Sequence, residues 1–323
     1  MKRLSVKVVI SVMYFLYILQ KQIAPIFLLI GIGFILGRRF PLDPRTLSRL
    51  TVYALVPGFI FVNIYEAGIS QDLLKALLFA VLFLVVLWLV TAAVIRISRV
   101  EHSRGNAMTN SVLFFNSGNM GIPLITLVFA GHPFAALAVS TQIMVLLVQN
   151  LSMNTLGFFI AGRSKMKARD LFRFILGIPA LYALAAALIM KGFHSDATRM
   201  FFWPTLEYLK NGLIPVTLFA LGVQLSQTKI RLKSRSVWGA AFLRLIVSPV
   251  LAFGLIELLG IHGVIAQVLL ICSGLPTAVN TAMAAVEMEN EPEFAAQMVM
   301  MTTLLCAGTL SVLIPISTVL FPV

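Results

Sequence analysis

Residues 114–124, FFNSGNMGIPL, place polar side chains and helix-breaking residues inside an otherwise apolar stretch. Asn116, Ser117 and Asn119 offer hydrogen-bond donors and acceptors without a fixed charge. Proline lacks an amide hydrogen and its ring crowds the carbonyl four residues earlier, and glycine lowers the cost of leaving helical geometry. The helix-breaking residues of this segment are Gly118, Gly121 and Pro123. We therefore predict an interrupted helix here.

A second stretch, CSGLPTAVNTAM, repeats this arrangement with Gly274 and Pro276 as the breaking residues and with Thr277 and Asn280 as polar side chains. Backbone groups freed within hydrocarbon must be paired with protein or with cavity water, so both breaks are expected to be buried or to line a cavity. The N-terminus of a half-helix carries partial positive charge and free N–H donors, which suit a small anion such as a carboxylate. The alternative interpretation is that these small and polar residues only mediate helix–helix packing.

Other polar residues inside the apolar stretches are less informative. Gln149 and Asn150 are interpreted either as donors in the site or as residues that hydrogen-bond between helices. Asp72 and Lys75 are three residues apart; they are candidates for proton coupling or form an interfacial pair on one helix face. Arg244 is expected near the cytoplasmic face, where its side chain snorkels or binds carbonyls.

The composition indicates an integral membrane protein made of helices. Of 323 residues, 59% are hydrophobic and only 11% are charged, against about 25% charged in soluble domains. Apolar runs of about 20 residues recur along the chain and do not alternate in polarity, which disfavours a β-barrel. The net charge of +13 indicates no nucleic-acid partner, because the basic residues gather in short loops between apolar runs. Cys272 and Cys306 lie in apolar runs, so no disulfide, metal site or cofactor is predicted.

The apolar runs predict ten membrane spans. They lie near residues 17–37, 47–66, 73–95, 106–130, 135–161, 172–190, 205–226, 237–259, 263–286 and 294–320. Basic clusters follow spans 1, 3, 5 and 7, which predicts that these loops are cytoplasmic and that both termini lie outside. The basic residues Lys2, Arg3 and Lys7 oppose this orientation, and an eleventh span near residues 4–19 would reverse the N-terminus but is short.

The chain is predicted to contain a duplication. Prolines recur at nearly equal separations, in the pairs Pro25 and Pro179, Pro57 and Pro215, and Pro123 and Pro276. Residues 1–16 then form an N-terminal extension or short leading helix, 17–165 a first five-helix repeat and 166–323 a second. Because five is odd, the repeats are inverted, an architecture used by secondary transporters, with the broken spans 4 and 9 marking a transport site near the midplane.

At NSGNMGIPL, GLPTAVNTAMAAVE and LVPGFIF the sequence resembles the auxin efflux carrier family, which includes plant carriers and bacterial dicarboxylate transporters. The resemblance implies a ten-helix transporter with a scaffold domain, a transport domain in which spans 4 and 9 cross, and often a homodimer. It also implies that Asn116 faces the substrate carboxylate and that Gln149 and Asn150 line the site. The acidic–basic pair of plant carriers is spaced by four residues, whereas Asp72 and Lys75 are spaced by three.

These observations favour a carrier that moves a small organic anion, a mono- or dicarboxylate, across the cell membrane by alternating access. The closest alternative is a sodium-coupled organic anion symporter of related crossover fold, since amide oxygens can bind sodium. A channel would need a polar stripe along several helices, whereas the polar residues gather at the breaks. An enzyme is not expected, because no span carries a metalloprotease motif or a deep nucleophile–base set. Substrate, direction and coupling to protons or sodium stay open.

Overall fold

The structure, a computed structural model, describes residues 18–67, 71–162, 176–193, 196–228 and 234–323. The predicted extension 1–16 and the predicted boundary at residue 165 lie outside these ranges. The described residues fold as helices, and their β pairing is a single isolated bridge between Phe115 and Thr277. The prediction of an all-α protein is confirmed for this part of the chain.

The helices follow the apolar runs of the sequence. In chain order they are α1 (Leu19–Arg39), α2 (Pro44–Ala67), α3 (Gln71–Ile97), α4 (His102–Leu113), α5 (Ser117–Val128), α6 (Ala135–Ile160), α7 (Pro179–Gly192), α8 (Trp203–Ser226), α9 (Arg235–Leu258), α10 (Gly263–Ser273), α11 (Val279–Glu287) and α12 (Pro292–Leu320). Among the described residues, seven helices are long and apolar enough to cross a membrane, namely α1, α2, α3, α6, α8, α9 and α12. Shorter apolar helices are α5, α7 and α10.

Four helices contain a widened π-helical turn that is followed by a proline. The turns are Leu19–Ile23, Thr51–Leu55, Ser117–Gly121 and Leu243–Val247, and the prolines that follow them are Pro25, Pro57, Pro123 and Pro249. Proline cannot donate the regular helical hydrogen bond, and its ring crowds the carbonyl one turn back, so the turn before it widens and the helix continues. These prolines therefore adjust their helices without ending them.

The paired prolines of the predicted repeats do not share one local structure. Pro215 lies inside the regular helix α8, and Pro179 is the first residue of α7. Pro276 lies in the non-helical stretch between α10 and α11, whereas Pro123 follows a π-helical turn within α5. The proline spacing alone therefore does not establish the duplication.

Helix α2 begins with a side-chain N-cap, which is provided by Asp43 in the short loop before it. The carboxylate of Asp43 accepts hydrogen bonds from the backbone N–H groups of Arg45 (3.0 Å) and Thr46 (3.3 Å). The Thr46 hydroxyl donates to the same carboxylate at 2.8 Å, and these bonds, the hydroxyl first, lower the pKa of Asp43. A charged N-cap of this kind satisfies donors that the first helical turn leaves free.

The first group of packed helices consists of α1, α2, α7 and α8. Helix α8 runs along α1 and α2, and α7 packs against α2. The backbones of α1 and α8 touch at glycines: a Cβ atom at Gly33 would lie 2.8 Å from the Phe219 Cα, and one at Gly222 would contact the Ile30 carbonyl. Such contacts leave no room for a side chain and hold the two helices at a fixed separation.

The remaining helices form a second packed group. Helix α6 contacts α3 and α10, while α9 contacts α3, α10 and α12. Predicted span 4 corresponds to α4 and α5, and span 9 to α10 and α11, each with a short non-helical stretch between its halves. The two groups meet where α2 contacts α6, where α8 contacts α5, and where the start of α1 contacts α5 and α12.

Candidate functional site

The two interrupted helices meet at their breaks, in a region that we call the crossing (residues 114–116 and 274–278). The N–H of Asn116 donates to the carbonyl of Pro276 at 2.8 Å, and the N–H of Ala278 donates to the carbonyl of Phe114 at 2.9 Å. Each break therefore supplies backbone partners for the other, as buried polar groups require within hydrocarbon. The crossing lies in the middle of the second helix group, with most of its side chains buried.

Four helix ends face the crossing. Helices α4 and α10 end there at Leu113 and Ser273, and α5 and α11 begin there at Ser117 and Val279. The C-terminal ends carry partial negative charge and the N-terminal ends partial positive charge. The site therefore combines backbone donors and acceptors within a few residues of one another.

Asn116 caps the start of α5. Its Oδ1 accepts a hydrogen bond from the N–H of Asn119 at 3.1 Å. Only 5% of the residue is exposed. Its side-chain amide nitrogen, Nδ2, is buried and has no hydrogen-bond partner among the described residues. A buried donor without a partner is costly in a native structure. This amide group is therefore able to donate to a bound ligand.

The other polar residues predicted for the site have different surroundings. Thr277 is fully buried: its hydroxyl donates to the Ser111 carbonyl at 2.7 Å, and its N–H donates to the Thr302 Oγ1 at 3.0 Å. Ser117 is buried and Asn119 is half-buried, whereas Asn280 is exposed on α11. Thr277 thus connects the second break to α4 and α12.

The two predicted amide residues of α6, Gln149 and Asn150, differ in burial and in their hydrogen bonds. Gln149 is buried, and its Oε1 accepts a hydrogen bond from the N–H of Phe115 at 3.2 Å. Asn150, one position further along, is half-buried, and its carbonyl accepts a bond from Asn154 at 2.7 Å. Gln149 therefore satisfies the backbone of the first break.

The predicted helix breakers lie at and just beyond the breaks. Pro276 and Gly274 lie within the second break, where a Cβ atom at Gly274 would lie 2.5 Å from the Leu313 Cδ2. Gly118 and Gly121 lie in the π-helical turn that opens α5, and Pro123 lies just after that turn. The first chain interruption is therefore at residues 114–116, several residues before Pro123.

Two further residues that hold the crossing were not predicted as part of it, Gln142 and Arg244. The Nε2 of Gln142 donates to the Ser117 carbonyl at 2.6 Å, and its Oε1 accepts from the Cys272 Sγ at 2.6 Å, so this amide joins both interrupted helices. Gln142 lies seven residues before Gln149, two helical turns along the same face of α6. That spacing was the sequence signal that could have identified it.

Arg244 lies on α9 and is fully buried, with 0% of its surface exposed. Its guanidinium donates to the Val112 carbonyl at 2.8 Å and to the Ser273 carbonyl, and lies 4.8 Å from the ring centroid of Phe115. Of the two roles expected for this residue, the structure shows carbonyl binding. The side chain lies beside the crossing, against the last turns of α4 and α10. An arginine within an apolar span was the available signal.

The pair predicted for proton coupling lies at the start of α3. The helix includes Asp72 and Lys75, but the Asp72 side chain is outside those that the structure describes. Among the described residues, no group of three or more His, Cys, Asp or Glu side chains could hold a metal ion.

Long apolar helices around two interrupted helices that meet at their breaks define a multi-pass membrane protein of the transporter class. The model of the membrane transport protein family matches residues 18–174 and 175–314. The chain therefore belongs to this family, and its resemblance to the auxin efflux carriers is confirmed.

Two archaeal proteins are similar over most of the chain. An uncharacterized transporter of Methanocaldococcus jannaschii is 28% identical over 269 residues, which cover 80% of this chain and 85% of the relative. An uncharacterized transporter of Methanothermobacter thermautotrophicus is 21% identical over 272 residues, which cover 81% of this chain and 85% of the relative. Both alignments therefore extend over about four fifths of the chain.

Proposed function

We propose that this protein is a secondary carrier that moves a small organic anion, a mono- or dicarboxylate, across the cell membrane by alternating access. The observation that carries the proposal is the Nδ2 of Asn116, a buried donor without a partner among the described residues, at the N-terminus of α5 within the crossing. A substrate carboxylate would accept this donor, and hydrogen bonds to a charged group contribute about 1.5–3 kcal/mol each.

The helix ends support the same ligand chemistry. The N-termini of α5 and α11 both begin at the crossing, and α11 has no side-chain cap at Ala278. Free N–H groups and the positive end of a helix dipole favour an anion. The groups that would contact a bound carboxylate are amides, hydroxyls and backbone dipoles. Such contacts would hold the carboxylate weakly enough for release.

The packing supports a movement that carries the site. The crossing belongs entirely to the second helix group, and α1, α2, α7 and α8 form a separate group whose closest packing is among its own helices. We assign the first group as the scaffold and the second as the transport domain, each drawn from both of two inverted five-helix repeats. Ten spans, both termini outside, a homodimer and a plasma-membrane location complete this proposal.

The test is uptake and counterflow by purified protein in proteoliposomes. The panel contains acetate, lactate, malonate, succinate and malate, each with and without imposed pH and sodium gradients. Asn116→Ala should lower transport about ten- to a hundredfold, which corresponds to the lost bond. The variant should still fold, with the stability loss of about 0.5–2 kcal/mol expected from the missing cap. An absolute requirement for a sodium gradient would favour the sodium symporter.

Asn63→Ala is the matched control. Asn63 is also buried, but its amide donates within α2 to the Phe59 carbonyl at 2.8 Å, away from the crossing. This variant should transport within about threefold of wild type, the change expected from a modest loss of stability. A well-folded Asn116→Ala carrier with unchanged affinity and rate would mean that the motif only packs helices.

A further inference from the structure

The buried charge of the described structure is concentrated in one side chain. Arg244 is the one charged residue among the buried residues that the structure describes, and no described buried carboxylate balances it. Its Nε is also buried without a hydrogen-bond partner among the described residues. A buried charge without a counter-ion is unusual and marks a functional residue in a membrane protein.

The position of this charge is set by the two helix interruptions. Val112 lies in the last turn of α4 and Ser273 is the last residue of α10, and both carbonyls accept from Arg244. The guanidinium thereby occupies the negative ends of both half-helices. It also lies against the ring of Phe115, the residue immediately before Asn116.

The helix dipoles at the crossing offset each other. Two C-terminal ends contribute partial negative charge and two N-terminal ends contribute partial positive charge of similar size. Arg244 adds one full positive charge to this set. The crossing of the described residues is therefore cationic by about one elementary charge before a ligand binds.

We propose that Arg244 is the specificity-determining cation of the carrier, which selects substrates that place a single carboxylate in the crossing. This inference rests on the proposed function and assigns its charge selectivity to one residue. A monocarboxylate near Asn116 balances the buried charge, whereas the uncharged amide of the same acid leaves it unbalanced. Arg244 is separated from the bound carboxylate by Phe115. It acts as a positioning residue for the two breaks and sets the positive electrostatic potential at the site.

The charge can be separated from the structural role because Ser248 lies beside it. Ser248 is buried one helical turn after Arg244, and its hydroxyl donates to the same Ser273 carbonyl at 2.9 Å. A carboxylate at this position would lie within reach of the guanidinium. Ser248→Asp therefore neutralises the crossing while Arg244 remains, and Arg244→Gln neutralises it by removing the guanidinium.

The charge-preserving controls are Arg244→Lys and Ser248→Asn. Each variant is purified in detergent, and its thermal unfolding is followed in titrations with acetate, lactate, benzoate and succinate and with the matching amides. Ligands that bind the native state raise the unfolding temperature, and the stabilisation grows with the logarithm of ligand concentration over the dissociation constant, so a titration yields that constant. The readout is the ratio of the dissociation constants of each amide and its acid.

Wild type should bind at least one acid about tenfold or more tightly than its amide, a difference of about 1.4 kcal/mol. Arg244→Gln and Ser248→Asp should reduce this ratio at least about fivefold, and the two controls should keep it within about twofold. If Arg244→Gln does not fold, Ser248→Asp carries the test. An unchanged ratio in a folded, neutralised variant overturns the role of Arg244 alone. A wild type that binds no acid of the panel in preference to its amide overturns the proposed function as well.

Discussion

Gln142 shows how one amide can hold a crossing of two interrupted helices. It donates to the carbonyl of Ser117 on one helix and accepts from the thiol of Cys272 on the other. Gln142 is fully buried, so these two hydrogen bonds fix the orientation of its side-chain amide. Gly121 lies opposite it: a Cβ atom there would contact the Gln142 amide and lie 2.9 Å from the Leu275 Cδ1, so these side chains would have to shift.

Gly121→Ala should therefore weaken the crossing. The added methyl displaces the Gln142 amide and leaves the Ser117 carbonyl buried without its partner, at a cost of about 1–3 kcal/mol. Transport in proteoliposomes should fall about tenfold or more, with a lower unfolding temperature. Gly118→Ala is the control in the same π-helical turn, because its Cβ would meet only the end of Leu146 at 3.3 Å. Equal transport rates and unfolding temperatures for the two variants would show that the position of the Gln142 amide does not depend on a glycine at residue 121.

At the scale of the helices, the sequence predicted positions better than it predicted connections. The apolar runs located every described helix long enough to span a membrane, because hydrocarbon selects strongly for composition. The partners of Thr277 on α4 and α12, and of Arg244 on α4 and α10, follow from tertiary packing between residues more than 20 positions apart. The proline of span 4 was expected to mark the interruption, but the extended residues lie before it.

Helix α8 provides a test of packing at the same scale. A Cβ atom at Gly222 would contact the Ile30 carbonyl and lie 2.7 Å from the Phe34 backbone nitrogen, and neither backbone atom can rotate away. Gly222→Ala should therefore separate α8 from α1 and destabilise the protein by about 1–3 kcal/mol, the usual cost of overpacking. The unfolding temperature should fall by several degrees.

Gly31→Ala is the matched control for this change. Gly31 is on α1, and an added Cβ would have no atom within 4 Å. Because alanine favours helix over glycine by about 1 kcal/mol, this variant should be as stable as wild type or more so. A Gly222→Ala protein with the unfolding temperature of the control would contradict the close approach of the two helices.

At the scale of the whole molecule, a cluster of polar contacts joins the start of α4 to the residues just before α12. Arg104, in the first turn of α4, forms an ion pair with Glu291 at 2.8 Å, and Ser103 donates to Asn290 at 2.6 Å. Residues 290 and 291 directly precede α12, so α12 begins on the same side of the molecule as α4. The positive-inside rule predicts that this side is cytoplasmic, because the basic residues at the end of α3 and the start of α4 lie there.

The C-terminus is therefore predicted to lie outside the cell. Helix α12 contains 29 residues, a length of about 44 Å, which is enough to cross the hydrocarbon core once. Alkaline phosphatase, which is active only after export, should be active when fused after Val323, and a cytoplasmic fluorescent reporter fused there should stay dark. Insertion of the same reporters after Arg231, in the basic sequence between α8 and α9, should give the opposite pattern. A fluorescent fusion at Val323 would place both ends of α12 on the wrong sides and reject the ten-span orientation.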